Sequence, residues 1–354
     1  MSVGLLVIST LIIVYIQAII YKYWGLKGIT YSRSFGSSHV FEGEEVQMIE
    51  VISNHKLMPV LWLQLESEID SHLQFQKQAN LDIKHQQFHR SFFSILPFTR
   101  ITRKHTIKCI KRGFYTLKSA VLSCKDALNI IQTYEELSLY ANLLVYPKII
   151  PVENLNLPCH SWIGDTVVRR WIIDDPFMIS GVRDYQYGDS MNRINWKSTA
   201  RTGSIKVYNT DYTSNTKIII VLNIQSNEES WDDGTDKELM EKAISYCASI
   251  AYCLISKGIE TGFCCNCHSS QDNETPTLIP AGCGTGHMNL LLESMAMMQL
   301  KRSVMFHSFM DDMPDSFTKN TDFLVVTNYV DALMEKSIQR IKDIACSVEI
   351  LELV

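Results

Sequence analysis

The stretch Lys217-Ile-Ile-Ile-Val-Leu-Asn-Ile224 decides how the second half of the chain folds. It is almost unbroken in apolar character and rich in β-branched side chains. Such a run fits a strand with helices over both faces, not one with a wet side. The sequence beyond it alternates accordingly. Asp236 to Lys257 has helical periodicity and stops at Gly258, a residue suited to ending a helix. Ile259 to Cys267 predicts a strand, His287 to Leu300 a helix, Asp322 to Thr327 a strand, Asp331 to Ile344 a helix and Ser347 to Val354 a strand. The expectation for 215–354 is a doubly wound α/β domain.

Toward the N-terminus the period changes from that of buried strands and helices to two. Glu45-Val-Gln-Met-Ile-Glu-Val-Ile52 and Leu61-Trp-Leu-Gln-Leu65 alternate between polar turns, and Lys111 to Lys118 turns at Gly113 into a further strand. Residues 28–150 therefore predict an antiparallel β-sandwich. His85, His89 and His105 lie among mixed neighbours there and are read as solvated surface side chains. Residues 151–214 form a linking segment with the densest polar run of the chain, Arg183 to Gly203.

Residues 1–24 are different again. Val3 to Tyr21 carries no charge, and at 1.5 Å per residue it nearly spans a hydrocarbon core of about 30 Å. Tyr21, Tyr23 and Trp24 beside Lys22 and Lys27 resemble an interfacial belt. A cleaved signal would begin with a basic side chain and end in small residues, and this stretch does neither. Lys22, Lys27 and Arg33 all follow the span, so the positive-inside bias predicts a single-pass protein of the cell membrane, N-terminus outside and body cytoplasmic. Ten cysteines scattered without regular spacing suit a reducing compartment. The 354 residues, 46% hydrophobic and 20% charged, are globular in composition. A net charge of -5 gives no basic footprint for nucleic acid.

Asp189 or Ser190 can cap a helix over Met191 to Arg201, which would put Arg193, Lys197 and Arg201 on one face. That stripe suits an anionic ligand or an acidic partner surface. Alternatively its charges pair internally with Asp184, Asp189 or Asp211. Trp196 is read as packing. Cys264-Cys-Asn-Cys-His268 contains zinc-ligand types, but a strand would turn Cys264 away from Cys265 and Cys267. Gly282-Cys-Gly-Thr-Gly286 lacks the Lys and Ser/Thr of a phosphate loop and is expected to be a strand-to-helix connection. No nucleophile-and-base spacing appears, so no catalytic residue, cofactor or small-molecule ligand is expected.

Arg183-Asp-Tyr-Gln-Tyr-Gly-Asp189, Arg193-Ile-Asn-Trp196 and Ser198-Thr-Ala-Arg201 together resemble the signature of the bacterial domain of unknown function 58 family. Phe41-Glu-Gly-Glu-Glu45 and Arg112-Gly-Phe-Tyr-Thr-Leu117 resemble that family's β-domain. Asp126-Ala-Leu-Asn-Ile130 departs from its Asp-Pro-Phe-Gly-Leu turn. The resemblance implies a C-terminal domain similar to a von Willebrand factor A domain. There the usual magnesium carboxylates appear here as amides, in a degenerate set of Asn223, Gln225, Asn227 and Asn328. It further implies a membrane-anchored, non-enzymatic adaptor or scaffold partnered with a MoxR-type AAA+ ATPase in assembling or activating protein complexes. Arg183, Tyr187, Asp189, Arg193, Trp196, Lys197 and Arg201 would then be an architectural or partner-contact set. The second reading is an anion-binding or enzymatic site around Asp189, Arg193 and Arg201 at an interdomain junction.

Overall fold

The computed structural model describes residues 2–75, 81–84, 88–126, 128–151, 174–186, 191–212, 217–225, 237–268, 275–314, 317, 321–343, 345 and 347–353. Contacts divide the chain into two units, Met1–Lys148 and Ile149–Val354.

The first unit begins with helix α1, Ser2–Trp24, which is long and apolar enough to cross a membrane, a test that a signal sequence also passes. Among the described residues the strands that follow are β1 Ile29–Phe35, β2 His39–Phe41, β3 Glu45–Asn54, β4 Val60–Glu68, β5 Leu73–Phe75, β6 Leu81–Lys84, β7 Phe88–Ile95, β8 Arg100–Cys109, β9 Gly113–Lys125 and β10 Gln132–Tyr146. They form a four-stranded sheet, β1-β3-β8-β5, and a six-stranded sheet, β2-β10-β9-β4-β7-β6. Among the described residues of this unit every pairing is antiparallel except β2 with β10, a parallel pair that period-two alternation cannot reveal.

Alternation in β3 buries Val46, Met48, Glu50, Ile52 and Asn54. Apolar residues at such positions build two clusters. One gathers Ile52, Leu63, Leu65, Phe93 and Ile95, the other Met48, Ile107, Leu117 and Leu143. Each fully buried side chain of this kind contributes about 1.5–3 kcal/mol. The two β-domain motifs meet at one end of the unit, where Glu42 Oε2 accepts the Arg112 N–H at 3.3 Å and the Gly43 N–H donates to Cys109 O at 2.7 Å. The turn that departs from the family pattern still closes. Asp126 Oδ1 accepts from the N–H groups of Ile130 and Ile131, and Asn129 adopts φ 58 where the family has glycine. Arg33, counted above among the charges flanking the span, is instead buried on the inner face of β1. The exposed basic side chains that follow the span are Lys22 and Lys27.

In the second unit, strand β11 (Asp174–Asp184) pairs antiparallel with β12 (Lys206–Tyr212), and helix α2 (Trp196–Thr202) lies between them in sequence. The remaining elements are β13 Lys217–Leu222, α3 Lys237–Ser256, β14 Glu260–His268, β15 Pro276–Gly282, α4 Thr285–Met297, β16 Gln299–Arg302, α5 Phe306–Asp311, β17 Thr321–Thr327, α6 Ala332–Lys342 and β18 Ser347–Glu352. The sheet order is β15-β14-β13-β17-β18, with β16 also on β14. Strands β14, β13, β17 and β18 are parallel, in keeping with the apolar run in β13, while β15 and β16 are antiparallel additions. Ile219, Val221, Phe323 and Val325 face α5 and α6, whereas α3 lies against β13, β14 and β17. The helix expected to reach Leu300 ends at Met297, because the chain extends again at once to pair β16 with β14.

Candidate functional site

The signature segment is the first candidate. Its helix starts later than the capping pattern predicts. Ile194 bridges to Val207 and the Asn195 N–H donates to Lys206 O, so the 3-10 turn Met191–Arg193 does not run on into α2. Asn195 is the cap, its side chain accepting from Ser198 N at 3.0 Å. Gly203 ends the helix at φ 72, a conformation costly to residues with a Cβ. Arg193 therefore does not share a helix face with Lys197 and Arg201.

No residue of α2 is buried, and Trp196, expected to pack, is 67% exposed. Lys197 and Arg201 are exposed too and make no hydrogen bond or ion pair among the described residues. Asp184 pairs at 2.6 Å with Lys206 instead of with the stripe. Arg183 Nη1 donates to Asp184 O. Tyr187 and Asp189 lie outside the described residues, as do the side chains of Arg193 and Asp211.

The second candidate is the junction at the carboxyl ends of β13, β14 and β17. Here the strand order reverses between β13 and β17, the place where open α/β sheets bind ligands. Asn223 Nδ2 donates to Thr327 Oγ1 at 3.0 Å, and Asn223 Oδ1 accepts from the Gln225 N–H and from Asn266 Nδ2. Asn266 Oδ1 takes the Ile224 N–H and Gln225 Oε1 the Phe306 N–H. All four side chains are buried. Three loops are thus closed by neutral amides and a hydroxyl. Asn223 and Gln225 belong to the expected degenerate set, Asn328 is half-buried nearby in sequence, and Asn227 falls outside the described residues. Asn266, on β14, was not anticipated. Its place between Cys265 and Cys267 in a strand with both faces covered was the available signal.

The third candidate lies on the inner face of the sandwich and corrects the reading of its histidines. His89 and His105 are buried, and His85 is outside the described residues. Glu50, likewise buried, accepts from Tyr31 at 2.7 Å and from His105 Nε2 at 2.9 Å, with His89 Nδ1 4.0 Å away. Burial alone would raise the Glu50 pKa. The hydrogen bond from His105, the charge of His89 and the Tyr31 hydroxyl outweigh it and hold the carboxyl below its ordinary value. His89 is pushed down to about 4, chiefly by burial and despite Glu50, with His105, Arg33 and Arg103 adding to the depression. The signal was in the phase: Glu50 falls in step with Met48 and Ile52, His105 with Ile107, His89 with Phe93.

The donor atoms of Glu50, His89 and His105 lie within 4.8 Å of one another, and in kind they suit a transition metal. Yet register sets Arg33 and Arg103 on either side of Glu50, one on each neighbouring strand. A divalent ion would add its charge beside two arginines that flank a single carboxylate in register, so the cluster is better described as an internal charge network. Cys264 points into the α5–α6 side while Cys265 senses Cys267 and Cys247 on the other. That separation is the one expected from strand alternation. Burial pushes the Cys264 thiol up to about 12, which suits packing and not chemistry.

The family model described as "Protein of unknown function DUF58" matches residues 181–353 and supports the resemblance carried by Arg183 to Arg201. No curated protein matches the chain. Among solved structures it is similar to a non-cellulosomal cohesin from the hyperthermophilic archaeon Archaeoglobus fulgidus, at 10% identity over 33% of this chain and 91% of that one with TM-score 0.24. It is also similar to the seventh ScaB type I cohesin of Pseudobacteroides cellulosolvens, at 13% identity over 37% and 98% with TM-score 0.24. The CARDB domain of a Pyrococcus furiosus protein gives 12% identity over 34% and 94% with TM-score 0.22. Likenesses of this size say nothing further about the chain.

Proposed function

We propose that the chain is a single-pass membrane adaptor without a reaction of its own, whose second unit offers the α2 segment to a cytoplasmic partner of the MoxR-type AAA+ class. The observation that carries this reading is the exposure of Trp196 beside Lys197 and Arg201 on a helix that buries nothing in its own unit. An exposed Trp flanked by Arg and Lys has the composition of an interface anchor. The parallel core of the second unit is consistent with a von Willebrand factor A-like domain. Its strand-end junction is closed by amides where a magnesium site would need carboxylates, which supports a platform role. Retention of the anchor is supported by Tyr21, which belongs to the sandwich core and donates to Pro59 O at 3.1 Å. Cleavage after the helix would strip that core.

The test is capture of a purified MoxR-type ATPase by the detergent-solubilised full chain. Trp196→Ala and the pair Lys197→Glu, Arg201→Glu should abolish capture while circular dichroism stays unchanged. Undiminished capture would sink the proposal. Loss of phosphate binding with capture intact would favour the anion-site reading instead. For topology, the exposed thiol of Cys283 should react with an impermeant maleimide only after lysis, whereas labelling in intact cells would place the body outside. Buried Cys109 cannot report on this.

A further inference from the structure

Four points of the sandwich converge on the end where α1 enters. His55 N donates to Gly28 O, and Lys56 Nζ donates to Trp24 O and Gly25 O. The buried Asn54 amide donates to Met58 O at 2.9 Å and to Leu96 O at 3.1 Å, tying the β3–β4 turn to the β7–β8 turn. Trp62 pairs in register with Lys125, which brings the β9–β10 turn alongside. From these turns large apolar side chains point into solvent: Leu57 at 76% exposure, Leu96, Phe98 at 68%, Leu128 and Ile130. Phe98 does so from φ 52, a backbone conformation that costs a bulky residue on the order of 1–3 kcal/mol.

The helix explains what covers them. Val3 to Ile16 are mostly exposed, whereas Ala18 and Tyr21 are buried. On its other face the exposed apolar surface runs on through Ile19 and Ile20 to Tyr23 and Trp24. Lipid around the helix therefore reaches the sandwich end beside these turns. The charges agree in sign. Lys27, Arg100 and Lys125 ring the turns, while Asp126 is buried and hydrogen-bonded to its own loop. That pattern suits anionic headgroups above an apolar layer.

We infer that this end of the sandwich is a lipid-binding face, with the β3–β4, β7–β8 and β9–β10 turns inserted at the depth of the headgroups. The inference rests on the membrane-anchor reading above. It makes the first unit a rigid foot on the bilayer instead of a domain swinging on a tether.

The test places photoreactive p-benzoylphenylalanine at Ile8, at Phe98 and at Phe114, an exposed phenylalanine at the opposite end of β9. The full chain is reconstituted in phosphatidylethanolamine–phosphatidylglycerol vesicles. Irradiation should give lipid adducts at Ile8 and Phe98 and none at Phe114. Lipid at Ile8 but not at Phe98, or a protein adduct at Phe98, would overturn the inference and leave the anchor standing. Absence of lipid at Ile8 would remove the anchor and the inference together. Equal lipid labelling at Phe98 and Phe114 would show general adsorption, and that too would overturn it.

Discussion

In the sandwich, Glu50 is enclosed with two arginines in register beside it and two histidines around it, whereas in the α/β unit Asn223, Gln225, Asn266 and Thr327 close a buried junction without a formal charge. Both networks stand where a ligand could be imagined, one through its donor types and the other through its place at strand ends. The difference lies in how each meets the cost of burying polar atoms. Amides and hydroxyls satisfy one another as neutral groups, so their junction holds at any ordinary pH. A buried carboxylate held by Tyr31 and His105 and flanked by two arginines in register depends on every partner keeping its charge state.

The comparison breaks most sharply at Glu50. Glu50→Ala takes the acceptor from Tyr31 and His105 and the neighbouring carboxylate from buried Arg33 and half-buried Arg103, with an expected loss of about 4 kcal/mol by urea denaturation. A loss below about 1 kcal/mol would mean that water already reaches the row.

Acid should separate the two units next. The unfolded His89 binds a proton near its ordinary value of 6.5, the folded one only near 4. Stability from this group is therefore present above pH 6.5 and is lost as pH falls through that window, about 3 kcal/mol by pH 4. Glu50, held below its ordinary value, adds to the loss at the acid end, since its contribution disappears as pH falls through its folded pKa. Hydrogen exchange across pH 7 to 4 should show β3, β7 and β8 losing protection while β13 and β17 keep theirs. Equal loss in both sets of strands would show that the charge row is not the acid-sensitive element.

A smaller effect is expected at the neutral network. Asn223→Ala removes partners from Thr327, Asn266 and Gln225 and should cost about 2 kcal/mol, with no change in pH profile. Calorimetry of the wild-type chain with magnesium should be silent, and micromolar binding would show that the amides act as ligands after all. The least effect belongs to Trp196→Ala, expected within about 0.5 kcal/mol of wild type because nothing packs on the ring. A larger destabilisation would restore the packing role first read for it.

Much of this was legible in local pattern. The period of two in Glu45 to Ile52, the apolar run at Lys217 to Ile224, the stop at Gly258 and the nineteen uncharged residues from Val3 to Tyr21 each imply an element, because side-chain direction follows backbone period. The antiparallel β15 and β16 and the parallel β2–β10 pair were not legible, since short edge strands acquire direction only from the neighbour they join. The site residues divide likewise. Asn223 and Gln225 could be placed at a strand end from sequence, and Lys197 and Arg201 on a short helix.

What tertiary structure decided was the company each side chain keeps. A buried phase could be assigned to Glu50, His89 and His105, but not that residues 39 and 55 positions from Glu50 would converge on it, because the pairing of β3 with β8 brings in His105 and the facing of the two sheets brings in His89. Capping rules allowed a helix from Asp189 or Ser190, yet the bridge of Ile194 to Val207 moved its start to Trp196 and took Arg193 out of line. Local chemistry determined which elements form. Long-range pairing determined which polar groups must answer to one another.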